Sequence, residues 1–396
     1  MPSSIVDGVA DPEPSPRRRI AFELGAGAAV ALLALLVAID TWAIASTDPD
    51  FYLPDPFRPL SIALIAIFVA SGFVRSARRR RFARRAAALL VVVLLILEAN
   101  FRFRGGDSSA SFVEPSPDVL LRYRYKAGAT FGQVDEHGVE RRINHLGLMD
   151  VEHAIPKPPD VFRVVVLSGS IANDGGVPFD ARFWRVLERK LDGAAPGGRR
   201  VEVVNVSVHG YSEVQQVRLL EQVGLAYQPD VVVVGYMLTA ASLQNGGYRR
   251  LGDSFFLFRF LPWLSRATTG SVCSLFAPYH ERYSFDLIVR NSFERLALLR
   301  RVHGFRVLVA VLPVLEDFDD RVCGSIYDRA LAAARDAGLP AIRVVDEFRG
   351  EPVAKYIKPH KRWDVCHPNA AGHEKIADAI ARALRQIIAE PPQPGR

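Results

Sequence analysis

From residue 160 onward the chain alternates short apolar runs with amphipathic stretches. The runs, rich in Val and Ile, lie at 162–167, 201–206, 231–235, 305–312 and 341–345. They do not alternate apolar with polar positions. A strand of that kind is buried on both faces, as in a parallel sheet. Helical periodicity occupies 180–193, 212–226, 285–302, 325–337 and 372–389. Strand–helix alternation of this kind predicts an α/β fold, a three-layer, doubly wound parallel sheet over 161–390. The working groups of such a sheet sit in loops after the carboxyl ends of its strands.

The first hundred residues carry a different pattern. Residues 1–19 are rich in Pro, Ser and charge and read as a disordered cytoplasmic tail. Apolar segments follow at 20–45, 59–74 and 86–103, near the ~20 residues a helix needs to cross a bilayer. Asp40 and Glu98 interrupt them. A cleaved signal peptide fits less well, because two further apolar segments follow where a soluble domain should begin. A hairpin formed by the last two segments is the alternative to three transmembrane helices. Residues 105–118 read as a linker, and 119–160 as a small β-rich lead-in to the main domain.

Charge bears on partners and orientation. The net charge is +7 over 396 residues. Arg17, Arg18, Arg19, Arg75, Arg78, Arg79, Arg80, Arg81, Arg84 and Arg85 outnumber that surplus, and all flank apolar segments. The basic balance therefore indicates membrane topology and no nucleic-acid partner. The 46–58 loop is acidic and the 75–85 loop carries seven arginines. The positive-inside rule puts the tail and the second loop in the cytoplasm, and the α/β domain outside a bacterial inner membrane. The three cysteines have no metal-ligand spacing, so no metal and no other cofactor is expected. A Cys273–Cys323 bridge is compatible with an oxidising compartment.

The chemistry concentrates at four strand-end loops. Asp364-Val365-Cys366-His367-Pro368-Asn369 stands just before the last helical stretch. An Asp at this spacing can hold one imidazole nitrogen so that the other faces out as a base. Such a base needs a nucleophile. Ser170, in Leu167-Ser168-Gly169-Ser170, lies just past the first strand. Gly210 follows the second strand and can bring a bare backbone N–H close to a ligand. Thr239 follows the third.

These four places resemble the blocks of the SGNH/GDSL hydrolase family, in particular its membrane-anchored bacterial members. Ser168-Gly169-Ser170 stands where that family has Gly-Asp-Ser. Asn205 through Gly210 resembles its second block, and Gln228 through Ala240 its third. Asp364 through Asn369 is similar to its last block. The resemblance implies an SGNH-like fold with a flavodoxin-like strand order. It also implies a catalytic triad of Ser170, Asp364 and His367, with oxyanion donors from Ser170 and Gly210. It departs in the first and third blocks. Ser168 and Gly169 replace the Gly and Asp before the nucleophile, and Thr239 and Ala240 stand where the third block has an oxyanion-binding Asn and the Asp after it. Asn173 and Asn245 are the nearby amides that could replace that Asn.

The implied activity is acyl transfer to water, an esterase acting on an ester of a cell-envelope glycan or lipid. An O-acyltransferase on a surface polysaccharide and a degenerate, binding-only domain are the rival readings. Leu251-Gly252-Asp253-Ser254 spells the family's letters but follows no apolar strand, so Ser254 reads as part of a loop. Cys366 reads as a buried small side chain. His209 reads as a pocket or surface residue, and His373 as part of the first turn of the last helix. Oligomeric state has no signature here.

Overall fold

The computed structural model describes residues 65–70, 76–105, 112–134, 140–173, 176–241, 285–316, 323–358 and 364–389, with residues 30, 273, 277, 280 and 318. The chain divides into two compact units. One contains α1 (Ala77–Gly105), a helix of 29 residues. Arg78 to Arg81, Arg84 and Arg85, expected in a loop, form its opening turns. Arginine is a good helix former and keeps its charged head in water. Among the described residues no helix is long and apolar enough to cross a membrane. The expected transmembrane helices are therefore not supported. The segments 20–45 and 59–74 lie outside the described residues apart from 30 and 65–70, and 86–103 falls within α1.

The second unit begins with two small antiparallel ribbons. β1 (Val113–Pro115) pairs with β2 (Tyr123–Tyr125), and β3 (Thr130–Val134) with β4 (Glu140–Arg142). β1 falls in the stretch expected as linker. Its Val113 is buried, which draws the segment onto the domain.

The large sheet follows the expected pattern. It comprises β5 (Val161–Leu167), β6 (Arg200–Asn205), β7 (Val231–Tyr236), β8 (Arg306–Val311) and β9 (Ala341–Arg343). All neighbours are parallel, in the order β6-β5-β7-β8-β9. Counted from its own first strand this is 2-1-3-4-5, the flavodoxin-like order. Every residue of β5 and β7 is buried. Full burial of a valine contributes about 1.5–3 kcal/mol, so the two strands anchor the core. Arg163 sits inside β5 because its register partner on β6 is Glu202, whose carboxylate lies 2.5 Å from the guanidinium. Its Nη1 donates to the carbonyls of Ala154 and Tyr227, both at 3.0 Å. A buried arginine is tolerated only when paired and hydrogen-bonded in this way.

Helices cover both faces. α2 (Gly169–Ala172) and α3 (Phe183–Lys190) follow β5; α4 (Glu213–Gln222) follows β6. α5 (Asn291–His303) continues a π-helical turn at Asp286–Arg290. α6 (Gly324–Asp336) and α7 (Ala370–Ala389) complete the set. α3 packs on α7, and α4 packs on α5. β9 stops at Arg343, short of the expected end, where the chain tightens into a 3₁₀ turn. The carboxyl ends of β6, β5 and β7 lie side by side, and three of the four candidate loops begin there.

Candidate active site

Serine hydroxyls stitch the three adjacent strand ends together. Ser168 N–H donates to Ser207 Oγ at 2.9 Å, and Ser168 Oγ donates to the Gly235 carbonyl at 3.2 Å. Ser207 Oγ in turn donates to the Val166 carbonyl at 3.3 Å. The chain then turns at Gly169, with φ +53°, into the four-residue α2 that carries Ser170. Glycine adopts this left-handed backbone freely, whereas aspartate only tolerates it. The Gly169 departure from the family pattern therefore suits the local geometry. A helix this short has no stability of its own. Trp184 holds it by donating from Nε1 to the Ala172 carbonyl at 3.0 Å.

The last loop is tied down as firmly. Asp364 Oδ1 accepts the backbone N–H groups of Cys366 and His367 at 3.3 and 3.2 Å. The Leu315 N–H donates to the Val365 carbonyl at 2.7 Å. Asn369 Oδ1 accepts the Gly372 N–H at 3.1 Å, closing the first turn of α7, and its amide donates to the Lys355 carbonyl at 2.8 Å. Between these anchors stands the His367 ring. Its Nδ1 lies 2.8 Å from Asp364 Oδ1, and its Nε2 lies 2.9 Å from Ser170 Oγ. Ser170 and His367 are 197 residues apart in sequence. With Nδ1–H donating to the carboxylate, Nε2 is left as acceptor for the serine proton, which is the arrangement a general base requires. The side chains of His367 and Asp364 are 21% and 14% exposed, so the pair is largely buried yet open at one edge.

Cys366 lies between the two but is no rival nucleophile. Its side chain is partly exposed, yet desolvation around the sulfur, with the Asp364 and Glu316 carboxylates nearby, pushes the thiol up to about 12. A thiol needs to become thiolate to react. Among the described residues the one metal-type cluster is Cys273, Glu316 and Cys323, and its two cysteines form a disulfide.

Gly210 lies in the loop after β6. The Tyr211 N–H donates to the Val208 carbonyl at 3.3 Å, and Gly210 has φ +78°. These are marks of a tight turn whose third position needs positive φ, as in type II. Among the described residues the Gly210 N–H meets no acceptor. Thr239 lies in a 3₁₀ turn, Leu238–Ala241, beyond β7 and is half-buried. Asn173 is not a spare oxyanion donor: its amide donates to the Ser207 carbonyl at 2.8 Å and to Tyr125 Oη at 3.2 Å. Asn245 and Ser254 lie outside the described residues.

Four further polar side chains stand in surroundings that the sequence pattern did not specify. The exposed His209 ring stacks on His367 with centroids 6.1 Å apart. Asn205 donates from its amide to Asn173 Oδ1 at 2.7 Å, and its N–H donates to the buried Asp150 at 2.7 Å. His373, in the first turn of α7, is buried and accepts the Phe183 N–H at 3.1 Å, which caps α3. Glu213, the first residue of α4, is fully buried, and neither carboxyl oxygen has a partner among the described residues. Burial alone pushes its carboxyl up to about 8.

No family model matches the sequence, and no curated protein matches it. Esterases and acylhydrolases are among the solved structures it is similar to. One is the psychrotrophic esterase EstA from Pseudoalteromonas sp., 11% identical, with 58% of this chain and 99% of the esterase covered at a TM-score of 0.36. Another is a GDSL-like lipase from Bacteroides thetaiotaomicron, 15% identical, with 59% and 93% covered and a TM-score of 0.36. A third is a two-domain esterase active on acetylated mannans, 16% identical at a TM-score of 0.37. Here 60% of this chain is covered and 52% of the esterase, about half its length.

Proposed function

We propose that this chain is a serine esterase of SGNH type, tethered to a bacterial inner membrane, that acts on an ester of a cell-envelope glycan or lipid. The observation that carries the catalytic part is the unbroken line Ser170 Oγ, His367 Nε2, His367 Nδ1, Asp364 Oδ1, with gaps of 2.9 and 2.8 Å. His367 takes the Ser170 proton as Oγ attacks the ester carbonyl. Asp364 stabilises the imidazolium and keeps its orientation. The tetrahedral oxyanion is held by the Ser170 and Gly210 N–H groups, with the Thr239 hydroxyl as third donor. His367 then passes the proton to the departing alcohol. Water, activated by the same imidazole, releases the acid and restores Ser170.

The location rests on the arginine clusters, on the apolar segments at 20–45 and 59–74, which lie almost wholly outside the described residues, and on the Cys273–Cys323 disulfide, since such bonds persist in oxidising compartments. Protease protection in intact spheroplasts tests it: cleavage of the α/β domain from outside is expected, and cleavage only after lysis goes against it. One observation favours a second reading, a binding domain without turnover: Thr239 stands where the resemblance has Asn.

Hydrolysis of p-nitrophenyl acetate by the detergent-solubilised full chain separates the two. Turnover abolished by Ser170→Ala and by His367→Ala supports the esterase. A folded protein without turnover supports the binder.

A further inference from the structure

Two tyrosines of the lead-in ribbon grip a single residue of the loop that carries Gly210. β2 reads Tyr123-Arg124-Tyr125, and alternate positions of a strand share a face. Both phenols are buried, while Arg124 between them points out to Glu114, 2.7 Å away. Tyr123 Oη–H donates to the His209 carbonyl at 2.6 Å. The His209 N–H donates to Tyr125 Oη at 3.0 Å. Tyr211 adds a return bond, its hydroxyl donating to the Tyr123 carbonyl, and its ring meets Tyr123 edge-on at 5.2 Å.

This grip bears on one peptide unit. A trans peptide is planar, with its C=O and N–H pointing in opposite directions. The carbonyl of the 209–210 peptide belongs to His209 and its N–H to Gly210. Holding the oxygen against Tyr123 turns the Gly210 N–H away from the ribbon. A turn with glycine at its third position can exchange its central peptide between two orientations, type I and type II. In the flipped form a carbonyl oxygen replaces the N–H and repels a developing negative charge.

We propose that Tyr123 and Tyr125 are positioning residues for acyl transfer, which lock the 209–210 peptide so that the Gly210 N–H stays aimed at the oxyanion. This rests on the esterase reading above and makes the lead-in ribbon part of the active site. Burial pushes the Tyr123 phenol well above its usual value, so it remains a donor across the working pH range.

The test uses the full chain with Tyr123→Phe, Tyr125→Phe and the control Arg124→Ala. Tyr123→Phe is expected to lower kcat about 10- to 100-fold with KM nearly unchanged, because an oxyanion donor acts in the transition state. Tyr125→Phe has a smaller effect, and Arg124→Ala has none. Hydrogen exchange read by mass spectrometry over residues 206–212 is expected to quicken in both Phe variants but not in the control. A kcat for Tyr123→Phe within about twofold of wild type overturns the proposal. So does loop exchange that does not respond to either tyrosine. If wild type itself shows no Ser170-dependent turnover, the esterase reading fails. Exchange then separates a loop clamp without a catalytic role, if it quickens, from no clamp at all.

Discussion

Replacing Asp364 by Asn is a sharp test, because the surrounding backbone dictates which way the new amide faces. Asp364 Oδ1 receives three donors: the Cys366 N–H, the His367 N–H and His367 Nδ1–H. In Asp364→Asn the two backbone N–H groups select the amide oxygen for that position and send the NH₂ elsewhere. His367 then keeps an acceptor for Nδ1–H, its tautomer is preserved, and only the charge is lost. A hydrogen bond to a charged group contributes about 1.5–3 kcal/mol against about 1 for a neutral one. The difference, about 1.5 kcal/mol, corresponds to roughly a tenfold drop in kcat. Asp364→Ala removes the acceptor outright and frees the ring, at a cost of about 10³–10⁴ in rate. Steady-state kinetics on p-nitrophenyl acetate, with both variants checked for folding by circular dichroism, read the gap. If Asp364→Asn falls as far as Asp364→Ala, the amide has turned its nitrogen to the ring, and the backbone N–H groups do not control the site.

Three further outcomes are expected. Thr239→Ala lowers kcat by about 10-fold or more if its hydroxyl binds the oxyanion, and a change below about twofold removes Thr239 from the site. Glu213 is protonated in the fold because burial raises its carboxyl to about 8. In the unfolded chain it ionises near the ordinary ~4.3, so its stabilising term is full below that pH and declines until pH passes about 8. Glu213→Gln should therefore flatten the fall of Tm between about pH 5 and pH 8, and identical Tm curves refute the buried-acid account. The disulfide closes a span of 50 residues, which the chain-entropy relation values at about 4 kcal/mol. Reductant, or the double change Cys273→Ala with Cys323→Ala, is expected to lower Tm. An unchanged Tm means the bond contributes nothing.

The parallel strands could be read in the sequence because burial on both faces leaves an unbroken apolar run, as at Val164–Val166 and Val231–Val234. The pairing of Asp364 with His367 was visible because it is local, three residues within one loop. Ser170 followed from the rule that places working groups past strand ends, although its contact with His367 spans the whole domain. The tyrosine grip had no such local signature. Tyr123-Arg124-Tyr125 announces a strand face, but nothing in it names His209 as the partner, 84 and 86 positions on. Asn173, offered as a donor by proximity, is occupied by Ser207 and Tyr125, which local sequence could not show. The arginine run misled because charge suggests a loop, whereas helix propensity and the following apolar stretch extend α1 back to Ala77.

The most direct test of the central claim is covalent capture of the nucleophile. The full chain is treated with a fluorophosphonate, digested, and its modified peptide identified by mass spectrometry. One adduct is expected, on Ser170, formed by wild type and lost in His367→Ala. An adduct on Ser254, or a folded protein whose mass does not change, would contradict it.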